Sequence, residues 1–386
     1  MGTRFNASCG HAGWYAVICL HVNWLLWTGL LKGLGVLLPT LQEQFTTDTW
    51  MIGGLIATIT GAGSFTGPCL MIASILSRAT TGRYFTTNYA TVNGIATSGH
   101  SVGLISFAPL TQVLLDTYGW RGALLLLGAI STHLGVCGLL LRPPPSAGAR
   151  ENYQPIISSE EEPSVYRSQI PKGQRKSRLC LLKDAVKVQG NRFGCKVFSL
   201  AAFWIAALVY SGNSFVSGLW LIYFVAYAES KGFSGYEAVT FTTAAGIGNL
   251  IFKILVGLVV DRGWLRLQLA LLISIMTCGL ALFTLPLVNS FWLMIVNAII
   301  FNGFAGAQSS LSDIYTRELL GAEDLVPAFS WVGLLSATIH ITFGFFPGWI
   351  FDQTGSYDKA FFILGFIALL PLVSLLVEKL LSRQKA

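Results

Sequence analysis

Ten apolar runs, each long enough to cross a lipid bilayer, constrain this chain more than any other feature of its sequence. About 20 consecutive apolar residues suffice for a transmembrane helix. Only 11% of the residues are charged, against about 25% in soluble globular chains, so we expect an all-α, polytopic membrane protein. The runs lie near residues 14–38, 51–76, 90–115, 123–141, 197–228, 238–260, 267–286, 291–314, 327–350 and 360–378.

A polar segment divides these runs into two groups. Residues 142–196 contain three consecutive prolines at 143–145, three glutamates at 160–162 and a basic cluster at 175–178, a composition typical of a disordered linker. We therefore expect an incomplete N-terminal membrane half at 1–141 with about four helices, a cytoplasmic linker at 142–196, and a C-terminal membrane half at 197–386 with six helices.

The positions of lysine and arginine predict the orientation of the chain, since these residues are enriched in cytoplasmic loops. With the N-terminus in the cytoplasm, the only basic residues of the outer connectors are Arg121, Lys231 and Lys359. Both termini are then cytoplasmic, in a multi-pass protein of the plasma membrane. The net charge of +7 reflects this bias, so no nucleic-acid-binding face is predicted.

Two of the apolar runs carry a lysine far from their ends, Lys32 in the first and Lys253 in the sixth. A cation at bilayer depth costs about 2.5–3.5 kcal/mol and is rarely left facing lipid. No Asp or Glu lies at a comparable depth, which favours a positively charged interior site for an organic anion. The alternative is that both lysines extend to the membrane interface. Lys253 would do so only at its limit, because Asp261 at the helix end is roughly 12 Å away along the axis.

No pattern in the sequence predicts an enzyme. There is no nucleophile–base pair, no metal-ligand cluster and no phosphate loop, and the seven cysteines show no pairing pattern or metal spacing. We expect neither a cofactor nor a metal. Any of the four histidines in or beside apolar runs could carry a proton, although a histidine bonded to nearby backbone is the commoner case; they are His21, His100, His133 and His340.

The connector after the sixth run has the sequence GLVVDR, residues 257–262. Gly257 permits close helix approach, and Asp261, near a helix end, could pair with nearby arginines such as Arg262. Such a pair could break and re-form as the protein changes state. The alternative interpretation is that Asp261 and Arg262 only mark the membrane boundary.

Three further charged residues are candidates for structural roles. Asp313 and Arg317 form an i, i+4 pair at the cytoplasmic end of the eighth run, where neighbours on one helix face interact. A structural clamp is favoured there over a proton site. Arg121 is expected to anchor the external end of the fourth run.

Several motifs together resemble those of the major facilitator superfamily and of its monocarboxylate transporter family. GLVVDR resembles the superfamily's loop signature. Residues 82–110 and 118–123 resemble the family's fifth and sixth helices, and PGWIFDQTGSY at 347–357 resembles the loop before its last helix. The resemblance implies a helix bundle of the major facilitator type, with 12 helices expected for the family.

The resemblance also indicates what this chain lacks. The second run ends near residue 78 and the fifth-helix motif begins at Gly82, so the family's third and fourth helices have no counterpart. About ten transmembrane helices are therefore expected. Complete alternating access between two six-helix halves is an open question for such a bundle.

The resemblance further implies a substrate-binding set of Lys32, Asn249 and Lys253. Lys32 aligns with a first-helix lysine that contacts the substrate carboxylate. The family's eighth helix often has an aspartate and, four residues on, an arginine, where this chain has Asn249 and Lys253. Asn249 cannot take up a proton as a carboxylate does, and Lys253 keeps the charge of arginine without its bidentate geometry. For Arg121 the family match implies a structural pairing role.

The sequence therefore favours a secondary transporter that moves a small organic anion, a monocarboxylate, through the lipid bilayer, with proton linkage left open. One alternative is a proton-independent facilitator of a neutral or zwitterionic solute. Another is a shortened form that does not transport and serves as an interaction partner. A single-span accessory membrane protein is a further candidate partner.

Overall fold

The computed structural model describes residues 11–66, 89–133, 195–321 and 324–385. Within these ranges the regular structure is entirely helical, which confirms the predicted all-α class. Short 3₁₀ turns occupy Cys195–Ser199 and Leu285–Leu287. The α-helices of the described ranges are α1 His11–Phe45, α2 Thr49–Thr66, α3 Tyr89–Thr97, α4 Gly99–Ser131, α5 Ala201–Ser230, α6 Gly235–Asp261, α7 Leu267–Thr284, α8 Phe291–Leu320, α9 Leu325–Phe343, α10 Phe346–Thr354, α11 Asp358–Leu369 and α12 Pro371–Lys385.

The helices have the lengths and surfaces of membrane spans. Eight helical segments of the described ranges are long and apolar enough to cross a bilayer, and the shorter apolar helix at Thr49–Ile59 adds to them. Large apolar side chains point outward: Leu125, Leu280 and Trp292 are 73%, 63% and 72% exposed. Polar side chains lie inside instead, which is the arrangement expected of a polytopic bundle in lipid.

Two helices run further than the sequence predicts. Helix α1 continues through Pro39 to Phe45, although the first apolar run ends near residue 38. Membrane helices tolerate such a proline because neighbouring groups satisfy the freed backbone. The third and fourth predicted spans are joined without a loop in α4, where a single residue, Gly119, leaves the helical conformation with φ +67°. Glycine adopts this left-handed region without strain.

Parts of three predicted segments lie outside the described residues: the end of the second span, the end of the fourth span, and the linker up to residue 194. Residues 67–88 separate α2 from α3. Two additional spans would need roughly 40 residues, so the chain has no room for them at this point.

The helices of residues 1–141 and 197–386 belong to one compact unit with a shared core. Within the first half α1 packs on α4. Across the two halves α1 packs on α5, α3 and α4 pack on α6, and α2 packs on α9 and α10. Buried side chains from both halves, including Leu37, Leu104, Trp220 and Phe301, form one hydrophobic cluster. Side chains on α1, α4, α5 and α6 can therefore meet at the interface between the halves.

Candidate functional site

The two mid-span lysines are both buried where the halves meet. Lys32 is 0% exposed and Lys253 is 1% exposed. Each ammonium group donates to a backbone carbonyl of the opposite half, Lys32 to Leu221 and Lys253 to Thr97. Neither side chain extends to the ends of the bundle. The two bonds form a reciprocal pair of contacts between the halves.

Lys32 reaches from α1 to α5. Its Nζ lies 3.4 Å from the carbonyl oxygen of Leu221 and 5.5 Å from the ring centroid of Trp220. An aromatic face attracts a cation through its quadrupole. Both groups offer only partial negative charge, and within the described residues no carboxylate lies at ion-pair distance from Lys32.

Lys253 reaches from α6 to the junction between α3 and α4. There the Ser101 N–H donates to Ser98 O at 2.9 Å, one residue closer than the regular α-helical partner, which is Thr97. The Thr97 carbonyl accepts instead from Lys253 Nζ at 3.1 Å. A break in the helical hydrogen-bond ladder thus frees the oxygen that holds this lysine.

Asn249 lies one turn before Lys253 and is 1% exposed. Its Oδ1 accepts from Ser101 Oγ at 2.6 Å, and its Nδ2 donates to the Asn302 carbonyl at 2.8 Å. Ser101 belongs to α4 and Asn302 to α8. The Asn249 amide therefore connects the two halves through groups that stay neutral.

His100 lies beside this set of residues, at the start of α4. Its Nδ1 is 2.8 Å from the hydroxyl of Thr28 on α1, and its ring meets the edge of Trp24 at a centroid distance of 6.0 Å. Among the other candidate histidines, Nδ1 of His133 and of His340 faces a backbone carbonyl, that of Ile130 and that of Ser336. Nδ1 of His21 faces both the Ser98 hydroxyl at 3.2 Å and the Ile95 carbonyl at 3.3 Å.

Asp261 meets the N-terminus of α3 rather than an arginine of its own loop. Its carboxylate accepts from the backbone N–H groups of Ala90 and Thr91 at 3.1 and 2.7 Å, and from the Thr91 hydroxyl at 2.5 Å. Arg262 instead stacks over Trp264. Within the described ranges no arginine is at ion-pair distance from Asp261. A carboxylate is favourable at a helix N-terminus, where free N–H groups and the helix dipole attract it.

At the opposite end of the interface, a second carboxylate meets a helix N-terminus of the first half, a contact that the sequence does not predict. Asp352 of α10 accepts from the backbone N–H groups of Thr49 and Trp50 at 3.0 and 2.8 Å, at the N-terminus of α2. Asp352 lies inside the PGWIFDQTGSY motif, but the sequence names no partner for it. Burial, and then the charge of Asp352, raises the pKa of the neighbouring Tyr357, so that phenol is neutral here.

Three other residues that the sequence singles out, Asp313, Arg317 and Gly257, lie at contacts with α3. Asp313 is 1% exposed and accepts from Asn93 Nδ2 at 3.3 Å, while Arg317 stacks over Tyr89 at 4.5 Å; both residues thus meet α3 from α8. A Cβ on Gly257 would lie 3.1 Å from Ala90 O, so this glycine marks a close approach of α6 to α3.

Arg121 follows the break at Gly119 and lies over the ring of Trp120, with 5.0 Å between the guanidinium carbon and the ring centroid. Arg121 is exposed. Helices that alternate in direction place it at the same end of the bundle as Asp352. Within the described residues no group of three or more His, Cys, Asp or Glu side chains could hold a metal ion.

Apolar helices around buried cations, with polar contacts between two halves, define a polytopic membrane protein of the carrier type. The family model described as Major Facilitator Superfamily matches residues 10–319. Monocarboxylate transporter 12 of Xenopus laevis is 30% identical over 363 residues, covering 92% of this chain and 75% of the relative. The chain therefore belongs to the monocarboxylate transporter family of the major facilitator superfamily, a group of transporters rather than enzymes.

Two further relatives are similar over most of the chain. Monocarboxylate transporter 12 of Rattus norvegicus is 29% identical over 358 residues, covering 87% of this chain and 72% of the relative. Monocarboxylate transporter 11 of Homo sapiens is 26% identical over 419 residues, covering 93% and 81% of the two chains. The resemblance inferred from the motifs is thus confirmed.

Proposed function

We propose that this chain is a secondary transporter that moves a small organic anion, a monocarboxylate, across the plasma membrane. The binding site would comprise Lys32, Asn249 and Lys253. The observation that carries the proposal is the reciprocal pair of buried lysines, one from each half, each bonded to a carbonyl of the other half.

The energetics of the Lys32 contacts favour an anion as a ligand of this site. Burying an ammonium group costs several kcal/mol, which its partners must offset. A hydrogen bond between two charged groups is roughly twice as strong as one between neutral groups. A carboxylate that enters between the halves would therefore be a better partner for Lys32 than the Leu221 carbonyl and the Trp220 ring. Its binding and release would change the contacts between the halves.

The mechanism that follows is a rocking of residues 1–141 against residues 197–386 around the site. The carboxylates of Asp261 and Asp352 each join the two halves at one end of the interface, and in this mechanism they would hold those ends closed. Release of either end alone would open the site to one side of the membrane. The names of the relatives, monocarboxylate transporters 11 and 12, support the same class of solute.

One observation supports the alternative of a proton-independent carrier. Both polar atoms of the Asn249 amide are hydrogen-bonded to neutral groups, and an amide does not titrate. A proton therefore cannot be bound at this position. A carrier without any other proton site would move the anion with its charge, or would accept a neutral or zwitterionic solute.

The test is uptake by the purified full chain in liposomes, with radiolabelled lactate, two other monocarboxylates and a set of amino acids as probes. Lys32→Gln removes the buried charge and keeps a polar end, so the fold is expected to persist. We expect lactate uptake to fall by at least about tenfold, because the variant loses one charge-assisted hydrogen bond to the anion.

The matched control is Lys359→Gln, since Lys359 is exposed and its helix, α11, packs on helices of the second half; the uptake of this variant should equal that of the wild type. Unchanged lactate uptake by Lys32→Gln would reject the assignment of the site. Uptake of amino acids but of no monocarboxylate would favour the zwitterionic alternative. Absence of uptake for every probe would favour the non-transporting form.

A further inference from the structure

We propose that the connector between α6 and α7 binds the headgroup of an anionic phospholipid in the cytoplasmic leaflet. The connector, residues 262–266, has the sequence RGWLR, and the proposed function uses none of its side chains. They lie at the end of the bundle, beyond the last residue of α6 at Asp261. The inference therefore does not depend on which solute the chain carries.

The backbone holds this connector in one conformation. The Gly263 N–H donates to the Val260 carbonyl at 2.9 Å, and Gly263 has φ +72°. The Trp264 N–H donates to the Val259 carbonyl at 3.1 Å. These two bonds form a Schellman cap at the end of α6, with glycine at the position that requires a left-handed conformation. The residues on either side of Gly263 are thus fixed close together.

The two arginines of the connector are exposed and have no acidic partner among the described residues. The Arg262 guanidinium lies over the ring of Trp264, 5.3 Å from the ring centroid, and Trp264 is 70% exposed. Arg266 immediately precedes α7 and is also exposed. Within the described ranges neither guanidinium donates a hydrogen bond or lies at ion-pair distance from a carboxylate. Both charges are therefore available to an anionic ligand.

Two acidic side chains adjoin the connector, and both already have partners. Asp261 caps α3. Glu378 of α12 accepts from Gln268 Nε2 at 2.8 Å and from the Tyr315 hydroxyl at 2.5 Å. The contact between Gln268 and Glu378 also brings the end of α12, with its exposed Lys379, beside the first turn of α7. A third cation thus lies on the same end of the bundle as the two arginines.

An apolar strip on α7 favours a phospholipid over a free phosphate ion as the ligand. Leu269, Ile273 and Met276 share one face of α7, since they are spaced four and three residues apart, and all three are exposed. Leu269 follows Arg266 by three residues. A phospholipid bound at the arginines would lay its acyl chains along this strip, whereas a phosphate ion has no group that would contact it.

The chemistry of the connector matches the cytoplasmic surface of a membrane. The cytoplasmic leaflet is rich in anionic lipids, and each lysine or arginine near its surface strengthens binding by about fivefold. Tryptophan is enriched at the depth of the headgroups, where Trp264 would lie. The planar guanidinium groups of Arg262 and Arg266 can each donate two parallel hydrogen bonds to phosphate oxygens. We therefore expect these two arginines to bind the lipid phosphate.

The experiment measures lipid binding to the detergent-purified full chain by native mass spectrometry. Phosphatidylserine is the anionic probe and phosphatidylcholine is the neutral comparison. We expect the wild type to bind phosphatidylserine more tightly. Arg262→Gln and Arg266→Gln should each lower the affinity for phosphatidylserine by about fivefold, and the double variant should lower it by about twentyfold. Binding of phosphatidylcholine should stay unchanged in all three variants.

Arg121→Gln is the matched control. Arg121 also lies over a tryptophan, Trp120, at 5.0 Å, but its connector has no second arginine. Its affinity for phosphatidylserine should equal that of the wild type. Equal losses in Arg121→Gln and Arg262→Gln would show attraction by net charge alone and would overturn the site. Equal wild-type affinities for the two lipids would overturn it as well.

Two soluble probes distinguish a lipid from a free phosphate. Glycerophosphoserine and inorganic phosphate carry the charge of the headgroup without acyl chains, so neither should displace phosphatidylserine at an equal concentration. Displacement by either probe would overturn the lipid site in favour of a site for a free phosphate.

Thermal unfolding of the wild type covers a variant that fails to fold. Phosphatidylserine should raise the unfolding temperature more than phosphatidylcholine does, because a ligand of the folded state stabilises it. The difference should disappear when the salt concentration is raised from about 0.05 M to about 0.5 M, since salt screens exposed charges. The absence of any difference at the lower salt concentration would overturn the proposal.

Discussion

At the scale of single residues, Gly35 sets how closely the halves approach beside the lysine of α1. A Cβ at this position would lie 2.5 Å from the carbonyl oxygen of Leu221, the same atom that accepts from Lys32 Nζ. Backbone atoms cannot move aside as a flexible side chain does. The absence of a side chain at Gly35 is therefore a condition for the contact that Lys32 makes.

Substituting Gly35→Ala should force α1 and α5 apart and weaken the closed interface by about 1–3 kcal/mol, the usual cost of overpacking. We expect lactate uptake to fall at least several-fold while the protein still reaches the membrane. The matched control is Gly128→Ala, because a Cβ on Gly128 would meet no atom within 4 Å. Equal uptake by the two variants would contradict the steric argument.

At the scale of helices, two N-termini of the first half are capped by carboxylates of the second half. Asp261 caps α3 at one end of the bundle, and Asp352 caps α2 at the other. Close backbone approach accompanies the second contact, since a Cβ on Gly348 would lie 2.8 Å from Trp50 N. In the proposed rocking mechanism, each cap would hold one gate.

Removing one cap should favour opening at that end alone. Asp352→Asn keeps the size of the side chain but loses its charge, and we expect a loss of about 1–2 kcal/mol in the stability of the closed interface. The measurement is thermal unfolding in detergent, together with lactate uptake. Asp261→Asn should have a similar effect, and Glu43→Gln, at an exposed position, should have none. Unfolding temperatures that match the wild type in both cap variants would show that these contacts do not hold the gates.

The contacts that join the two halves can be predicted from the sequence only in part. Hydrophobic length predicts the spans, and two isolated lysines in apolar runs predict buried charge, because these signals are local. The partners of those lysines are not local: Leu221 and Thr97 offer backbone oxygens, which every residue has. The freed Thr97 carbonyl depends on a shift in the helical ladder at Ser98 and Gly99. A serine–glycine pair can signal a kink, but it does not indicate which group bonds to the freed oxygen. The Asp352 cap joins residues about 300 positions apart, so nothing near either partner indicates it.

At the scale of the whole molecule, the polar contacts separate into two sets that agree with the distribution of basic residues. One end of the bundle holds Asp352 against α2, Lys231 against Asp358 at 2.9 Å, and Tyr236 against Asp116. The other end holds Asp261 against α3 and Gln268 against Glu378. Helices that alternate in direction place the first set with Arg121, Lys231 and Lys359, and the second set with Arg262, Arg266 and Lys379.

This separation gives a prediction for the membrane orientation, since the end richer in lysine and arginine should face the cytoplasm. Epitope tags at both termini, and a tag inserted after the exposed Gly263, should bind antibody only in permeabilised cells. A tag after the exposed Asn289, in the connector between α7 and α8, should bind in intact cells that carry the protein at the surface. Exposed loop tips tolerate such insertions. The reverse pattern would place the Asp261 cap outside and exchange the roles of the two gates, whereas termini on opposite sides would mean an odd number of crossings and would contradict the ten-helix arrangement.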